Sequence, residues 1–310
     1  FAKAAELIAD IAFRSTFPER EIEREKEVIA DEINTYKDSP AEMLYDTFED
    51  MLFEGSELGH NILGRKAALM RYDGAAIRAF TARTHTTDRM VFSSIGNFSP
   101  KTAEATALRY FGEQAATTRG FERAAPPAVK PFEKTVTKHT HQTHCIIGNR
   151  ACGIEETKRL PLALLVNVLG GPSANSLLNV EVREKHGLSY NIEANYIPYG
   201  DSGLVAIYFS SEHANEAQCA ELVERQLQRL RTTPLTGRQL SMAKKQFIAQ
   251  LAISGESNEN YMLSAGKSLL THDEIDTMEE VYAKIGALTA AQLTEAAEEV
   301  FTKMSRLTYK

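Results

Sequence analysis

Apolar positions recur with helical spacing along the first part of the chain. Between residues 2 and 14 they lie three and four residues apart, which predicts an amphipathic helix. A cap at Thr16, a proline at position 18 and acids in the first turn predict a second helix, from about Glu19 to Tyr36. Ser39-Pro40-Ala41-Glu42 has the spacing of a capping box and predicts a third helix that reaches Leu52.

Two more helices and one strand are predicted before residue 115. Asp73-Gly74 begins a helix that runs to about Ala82, and Ser99-Pro100 begins another that ends near Phe111. The apolar run from Met90 to Gly96 lies between them and predicts a buried strand.

A stretch without any period then interrupts the pattern. It runs from Ala115 to Pro131 and contains Gly120 and three prolines, a composition typical of linkers. We therefore predict a first domain over 1–115, an interdomain linker over 116–131 and a second domain over 132–310.

Strands and helices in the second domain come in clusters, not in strict alternation. This arrangement favours an α+β fold with mixed or antiparallel sheets packed with helices. The predicted elements are strands Val136–Ile147, Leu188–Ile197, Gly203–Ser210 and Arg306–Tyr309, helices Leu160–Leu169 and Asn175–Lys185, and further helices between residues 211 and 305.

Composition narrows the class of protein. Of 310 residues, 43% are hydrophobic, enough to bury the cores of two domains. The formal net charge of -7 argues against a nucleic-acid partner, which a basic surface would indicate.

No apolar run is long enough to span a bilayer. We expect a soluble chain with no membrane partner, cytoplasmic in preference to exported. Because it does not begin with Met, we also expect a fragment or a processed product.

The first candidate site is a pair of carboxylates. Glu25 and Glu32 are seven residues apart in the second predicted helix, so they share one helix face, with Val28 near it. A carboxylate beside apolar residues on a packed helix can ligate a metal ion. A solvated acidic face has the same pattern, and the spacing alone does not decide between the two.

The second candidate site is a cation and a phenol. Arg183 lies at the end of a predicted helix, Gly187 makes the turn, and Tyr190 opens the next strand. A guanidinium fork and a hydroxyl can bind a peptide carbonyl and stabilise a developing oxyanion. Alternatively, Arg183 is solvated and Tyr190 is an ordinary sheet residue.

Five segments resemble, in chain order, landmarks of the pitrilysin/insulinase family of zinc metallopeptidases, which includes mitochondrial processing peptidase. The match covers nearly the whole chain and implies two homologous αβ-roll domains, the first truncated at its N-terminus, around a cavity that encloses an unfolded peptide. The segments are Phe17–Ile33, Leu58–Gly64, Met90–Asn97, Gln142–His144 and Val182–Tyr190.

The resemblance implies roles for four residues. Glu32 matches the third zinc ligand and Glu25 the acidic residue that assists the site, while Arg183 and Tyr190 match a substrate-binding, catalytic pair. The family's His-x-x-Glu-His motif supplies the other zinc ligands and the general base, and none of the eight histidines forms it. We expect those ligands upstream of Phe1, and we expect this chain alone to be inactive.

The parent protein is accordingly expected to be a zinc-dependent metalloendopeptidase that hydrolyses peptides or unfolded proteins. One alternative is a non-catalytic scaffold or partner subunit of the same fold, in a homodimer or in a heterodimer with a related subunit. Another is a chaperone-like peptide binder, which needs Arg183 and Tyr190 but has no use for Glu32.

Overall fold

Twelve α-helices and five β-strands make up the chain, and the computed structural model describes all of residues 1–310. A π-helix, Asn179–Lys185, and three short 3₁₀ turns complete it. The helices are α1 (Ala2–Arg14), α2 (Glu19–Lys37), α3 (Pro40–Leu52), α4 (Lys66–Leu69), α5 (Gly74–Thr84), α6 (Pro100–Phe111), α7 (Arg159–Gly170), α8 (Glu216–Thr232), α9 (Gly237–Gly255), α10 (Asn258–His272), α11 (Met278–Ala287) and α12 (Ala290–Val300). The strands are β1 (Glu133–Val136), β2 (Thr143–Ala151), β3 (Ser189–Pro198), β4 (Gly203–Ser211) and β5 (Ser305–Tyr309).

The strands form one mixed sheet in the order β1-β5-β2-β4-β3. β1 is parallel to β5, and every other pair is antiparallel. β3 and β4 form a hairpin around the predicted turn at 198–202, where Tyr199 N–H donates to Ser202 O at 2.8 Å. The α+β class with a mixed sheet is confirmed.

The chain divides into two compact units. The first comprises Phe1–Thr35, Leu63–Ala124 and Ile253–Asp276, and the second comprises Tyr36–Ile62, Ala125–Ala252 and Thr277–Lys310. The first unit is helical, and the whole sheet belongs to the second. The division at residues 115 and 132 into homologous domains stays a prediction.

Helices cover both faces of the sheet in the second unit. α7, α8 and α12 pack on one face, where Leu165, Phe209 and Val223 are among the buried side chains. α3 packs on the other face, with Leu44 and Phe48 completely buried. Burial of each such side chain stabilises the fold by roughly 1.5–3 kcal/mol. Because helices pack on both of its faces, the sheet lies at the centre of the core.

Two predicted strands are corrected by the structure. Met90–Gly96 forms no strand. Its backbone is extended at Met90, but all sheet pairing is among residues 133–309, so no ladder partner completes it. The strand predicted over Val136–Ile147 is not continuous: β1 ends at Val136 and β2 begins at Thr143. β1 runs parallel to β5, whereas β2 runs antiparallel to it. The chain must therefore reverse between them, and His139 there has a left-handed φ of 52°.

Two helix predictions are also corrected. Ser39 precedes α3 but makes no capping hydrogen bond, so the capping box is not formed there. The helix predicted from Asn175 begins only at Leu177, and most of it has the wider π geometry. None of the helices combines the length and the apolarity that crossing a lipid bilayer requires.

Candidate active site

The two carboxylates lie on one face of α2, two turns apart, as predicted. Both side chains are exposed, and neither makes a hydrogen bond or an ion pair within the chain. Val28, near the same face, is 50% exposed. Glu25 and Glu32 therefore present unpaired carboxylates on a regular helix, available to a group outside the helix.

The opposite face of α2 holds the helix in place. Ile22, Lys26, Ala30 and Ile33 recur at helical spacing and are buried. The ammonium of Lys26 donates to Glu23 Oε1 at 2.6 Å and to the carbonyl oxygen of Met70 at 3.4 Å. A buried cation is costly unless it is paired, so these contacts fix the rotation of α2 and the direction of its acidic face.

Glu25 also lines a mostly apolar cavity of about 770 Å³ within the first unit. Ile22 and Tyr72 contribute to its wall, together with Phe17, whose φ of 50° is in the left-handed region. Glu32 does not line this cavity. The two carboxylates share a helix face but not the same surroundings.

The donor set of this chain does not by itself fit a catalytic zinc ion. Such a site needs three protein ligands and an open position for water. No group of three or more His, Cys, Asp or Glu side chains in residues 1–310 is arranged to hold a metal. Glu32 can supply one ligand, so residues 1–310 do not complete the metal site that the resemblance implies.

The second pair lies on the two sides of a tight corner between the π-helix and β3. Val182 is completely buried and anchors the helix end. Gly187 has a φ of 64°, a conformation that favours glycine. Its amide donates to Arg183 O at 3.0 Å, and the Leu188 amide donates to Val182 O at 3.1 Å. These bonds close the helix and set the direction in which β3 begins.

Tyr190 is the extra residue of a β-bulge. Ser189 pairs with Ser211 and Asn191 with Ser210, so Tyr190 has no partner on β4. The buried Ser189 hydroxyl lies 2.8 Å from Asn191 O and 2.7 Å from Ser210 O, bridging the bulge. A bulge redirects a side chain, and Tyr190 is 90% exposed with its hydroxyl unpaired. Such exposure is unusual for a tyrosine.

Arg183 keeps most of its hydrogen-bonding capacity free. Its Nε lies 3.2 Å from Glu184 Oε1, and both side chains are about half exposed. The terminal nitrogens make no hydrogen bond within the chain. A surface pair of this kind is weak, so the guanidinium fork can exchange it for a carbonyl or carboxylate of a ligand.

The sequence located all four residues but not the bulge. Simple alternation would place Tyr190 on the same face as the buried Ile192, and the extra residue turns it outwards. The two carboxylates lie in the first unit and the Arg183–Tyr190 corner in the second. Their convergence on one substrate stays a prediction.

Comparison with known proteins identifies the family. A family described as the peptidase M16 inactive domain matches residues 73–247. The chain belongs to the peptidase M16 family. This membership confirms the resemblance to zinc metallopeptidases that the sequence motifs indicated.

Relatives of this M16 chain are named as zinc proteases. The uncharacterized zinc protease YmxG of Bacillus subtilis is 30% identical over 302 residues, which cover 97% of this chain and 73% of YmxG. An uncharacterized zinc protease of Rickettsia bellii is 26% identical over 301 residues, covering 97% of this chain and 72% of the relative.

Solved structures share the fold of this M16 chain. A peptidase M16 inactive domain from Pseudomonas fluorescens superposes with a TM-score of 0.90 at 21% identity, over 99% of this chain and 74% of the other. A chain of complex III from Candida albicans has a TM-score of 0.86 at 14% identity, over 100% of this chain and 76% of the other.

Proposed function

We propose that this chain is part of a zinc-dependent metalloendopeptidase that hydrolyses unfolded peptides. The observation that carries the proposal is the corner at Gly187, where an unpaired phenol and a largely unpaired guanidinium project from a rigid turn. Groups that are fixed before the substrate arrives bind it with little reorganisation. Membership of the M16 family and the names of the relatives support the same class of activity.

Each of the four residues has a role in this proposal. Arg183 and Tyr190 bind the peptide backbone and polarise the carbonyl that is cleaved. Glu32 contributes one carboxylate to the zinc site, and Glu25 assists that site from the same helix face. The remaining zinc ligands are not among residues 1–310, so these residues alone neither retain stoichiometric zinc nor cleave peptides.

The test uses protein expressed from its complete gene. We expect about one zinc per chain, as one catalytic site holds one ion, and cleavage of an unstructured peptide that a chelator abolishes. Glu32→Gln is expected to lose the zinc. Tyr190→Phe is expected to lower kcat by about tenfold or more, the scale for loss of a carbonyl-polarising donor, with zinc content unchanged.

A matched control is the half-exposed Tyr261 on α10. Tyr261→Phe removes the same hydroxyl from a tyrosine that has no role in the proposal, and it is expected to leave both kcat and zinc content unchanged. Cleavage that persists in chelator, or zinc loss in Tyr190→Phe, contradicts the proposal.

A second candidate function is a non-catalytic partner subunit. One observation favours it: the matched family is that of the peptidase M16 inactive domain. In that case the protein from the complete gene purifies without zinc or peptidase activity, and it forms a stable heterodimer with a related chain. Zinc analysis and sedimentation of the same sample distinguish the two functions.

A further inference from the structure

A polar cleft of about 820 Å³ lies in the second unit, on the face of the sheet that α8 and α12 cover. Its floor is a row of side chains across three neighbouring strands: Ile147 of β2 is paired with Arg306 of β5, which is paired with Glu133 of β1. α8 forms one part of the wall, and Lys303 and Met304, in the turn between α12 and β5, form another. Small-molecule sites typically have volumes of about 300–1,000 Å³, so the cleft is large enough for a ligand.

α8 contributes one stripe of side chains to the cleft, at helical spacing from Ala217 to Arg231. Ala217 and Ala220 have the smallest side chains of this stripe, so they leave space between the helix and the sheet. Charged members of the same stripe border that space, and these are Glu221, Glu224, Arg225 and Arg231. The cleft therefore combines apolar surface at Ala220, Ile147 and Met304 with charged walls.

Every carboxylate that lines the cleft already has a basic partner. The four pairs are Glu133–Arg306, Glu216–Lys310, Glu221–Arg225 and Glu224–Arg231. Lys303 alone among the cations at the cleft has no such partner, and it makes no hydrogen bond within the chain. One positive charge is therefore left without a counter-ion.

The backbone holds this lysine in an unusual conformation. The φ of Lys303 is 55°, in the left-handed region, which costs energy for a residue with a long side chain. Residues strained in this way occur mostly at functional sites, where their surroundings hold them. The conformation and the unpaired charge thus distinguish the same position at the cleft.

Arg231 keeps further donors at the cleft. Its Nη2 donates to Glu224 Oε1 at 2.9 Å and to Gln228 Oε1 at 2.5 Å. Its Nη1 makes no hydrogen bond within the chain, and its Nε is buried without a partner. The side chain is only 19% exposed. Because a buried donor without a partner is costly, binding of an acceptor at this guanidinium is favoured.

We propose that this cleft binds a small monocarboxylate with an apolar body. Lys303 and Arg231 pair with its carboxylate, and the apolar body lies over Ile147, Ala220 and Met304. A single cation without a counter-ion favours one negative charge on the ligand, and the carboxylates of the walls repel a second. The inference goes beyond the proposed function and does not depend on it.

Isothermal titration calorimetry of the protein expressed from its complete gene tests the chemistry of the ligand with three probes. Phenylbutanoate is expected to bind saturably, and its neutral amide, phenylbutanamide, about tenfold more weakly or worse, because the charge-assisted hydrogen bonds are lost. Phenylbutyl phosphate, which carries a second charge, is expected to bind no more tightly than the carboxylate. Equal affinity for acid and amide, tighter binding of the phosphate, or no saturation by about 10 mM overturns the proposal.

Two variants and a control locate the site. Lys303→Asn removes the cation and tolerates the left-handed φ, and it is expected to weaken phenylbutanoate binding by about tenfold or more. Arg231→Lys keeps a cation beside Glu224 but removes the guanidinium fork, and it is expected to weaken binding by about threefold or more.

Lys134→Asn is the matched control for the change of charge. Lys134 is exposed on β1, next to Glu133 in sequence, but it does not line the cleft, so this variant is expected to bind as the wild type does. Unchanged affinity in either cleft variant, or equal losses in Lys303→Asn and Lys134→Asn, places the carboxylate elsewhere and overturns the proposal.

Discussion

Gly170 at the end of α7 lies directly against the backbone of Ala194 in β3. A Cβ added to Gly170 would stand 2.7 Å from the amide nitrogen of Ala194 and 2.8 Å from its Cβ. Only a residue without a side chain permits this approach. The contact fixes α7 on the face of β3 and so holds the strand that carries Tyr190.

Gly170→Ala is therefore expected to lower the free energy of unfolding by about 1–3 kcal/mol, the usual cost of overpacking. Helix propensity alone favours alanine over glycine by about 1 kcal/mol, so a net loss shows that the steric conflict is larger. Urea denaturation gives the value. Gly286→Ala is the control, because Gly286 lies in the last turn of α11 with no atom within 4 Å of an added Cβ. It should be neutral or stabilising, and equal losses in both variants would show that the Ala194 contact is unimportant.

The three cysteines are expected to be unreactive in the folded chain. All three are buried, and burial raises the pKa of Cys145 to about 12 and also raises those of Cys152 and Cys219. The thiolate is the reactive form, and a rise from 9 to about 12 leaves about a thousandfold less of it at neutral pH.

Labelling with a thiol reagent near pH 8 measures this effect. All three thiols are expected to react only when urea unfolds the chain, with the labelling rate following the unfolded fraction. A thiol that reacts in the native chain at the rate of free cysteine would contradict the buried placement of that residue.

Local rules were sufficient for much of the fold. The start and end of α1, the end of α3 at Leu52 and the turn between β3 and β4 follow from helical periodicity, caps and turn residues, which act over a few positions. The order β1-β5-β2-β4-β3 could not be predicted in this way, because β1 and β5 are paired across some 170 residues and no local pattern encodes that choice. Met90–Gly96 shows the same limit: it has the composition of a strand but no partner.

Within the site, the shared face of Glu25 and Glu32 was predictable because spacing on a helix determines it. The exposure of Tyr190 was not, because it depends on the bulge, and the bulge depends on how Ser189 and Asn191 pair with β4. Roles for these residues came from resemblance to a family, not from their spacing.

Glu49 on α3 is expected to make stability depend on pH. Burial raises the pKa of this carboxyl, and the hydrogen bond from Tyr199 opposes the shift. Between the ordinary pKa of 4.5 and the raised pKa, the folded chain therefore binds more protons than the unfolded chain. Stability falls as the pH rises through this window, and the loss is complete once the pH exceeds the raised pKa. Glu49→Gln keeps an acceptor for Tyr199 but cannot ionise, so its loss of stability between pH 4.5 and neutrality should be smaller than that of the wild type.

Tyr199→Phe provides the opposite test for the same carboxyl. It removes the hydrogen bond that lowers the pKa of Glu49, so the pH-dependent loss of stability is expected to increase. Urea denaturation of the wild type and both variants at the two pH values gives the comparison. If both variants show the pH dependence of the wild type, Glu49 is not its source.

Gly187 gives a prediction about the corner itself. Its φ is 64° and an added Cβ would meet no atom within 4 Å, so any cost of substitution comes from the backbone conformation and not from crowding. Gly187→Ala is expected to cost about 1 kcal/mol of stability, and Gly187→Asn less, because asparagine tolerates the left-handed region better.

The same strain is expected to displace the two residues that flank the turn. The affinity of the chain for an unstructured peptide should therefore fall more in Gly187→Ala than in Gly187→Asn. Urea denaturation and fluorescence anisotropy on the same preparations measure stability and affinity together. An alanine variant as stable and as tight-binding as the asparagine variant would show that the left-handed turn is not what positions Arg183 and Tyr190.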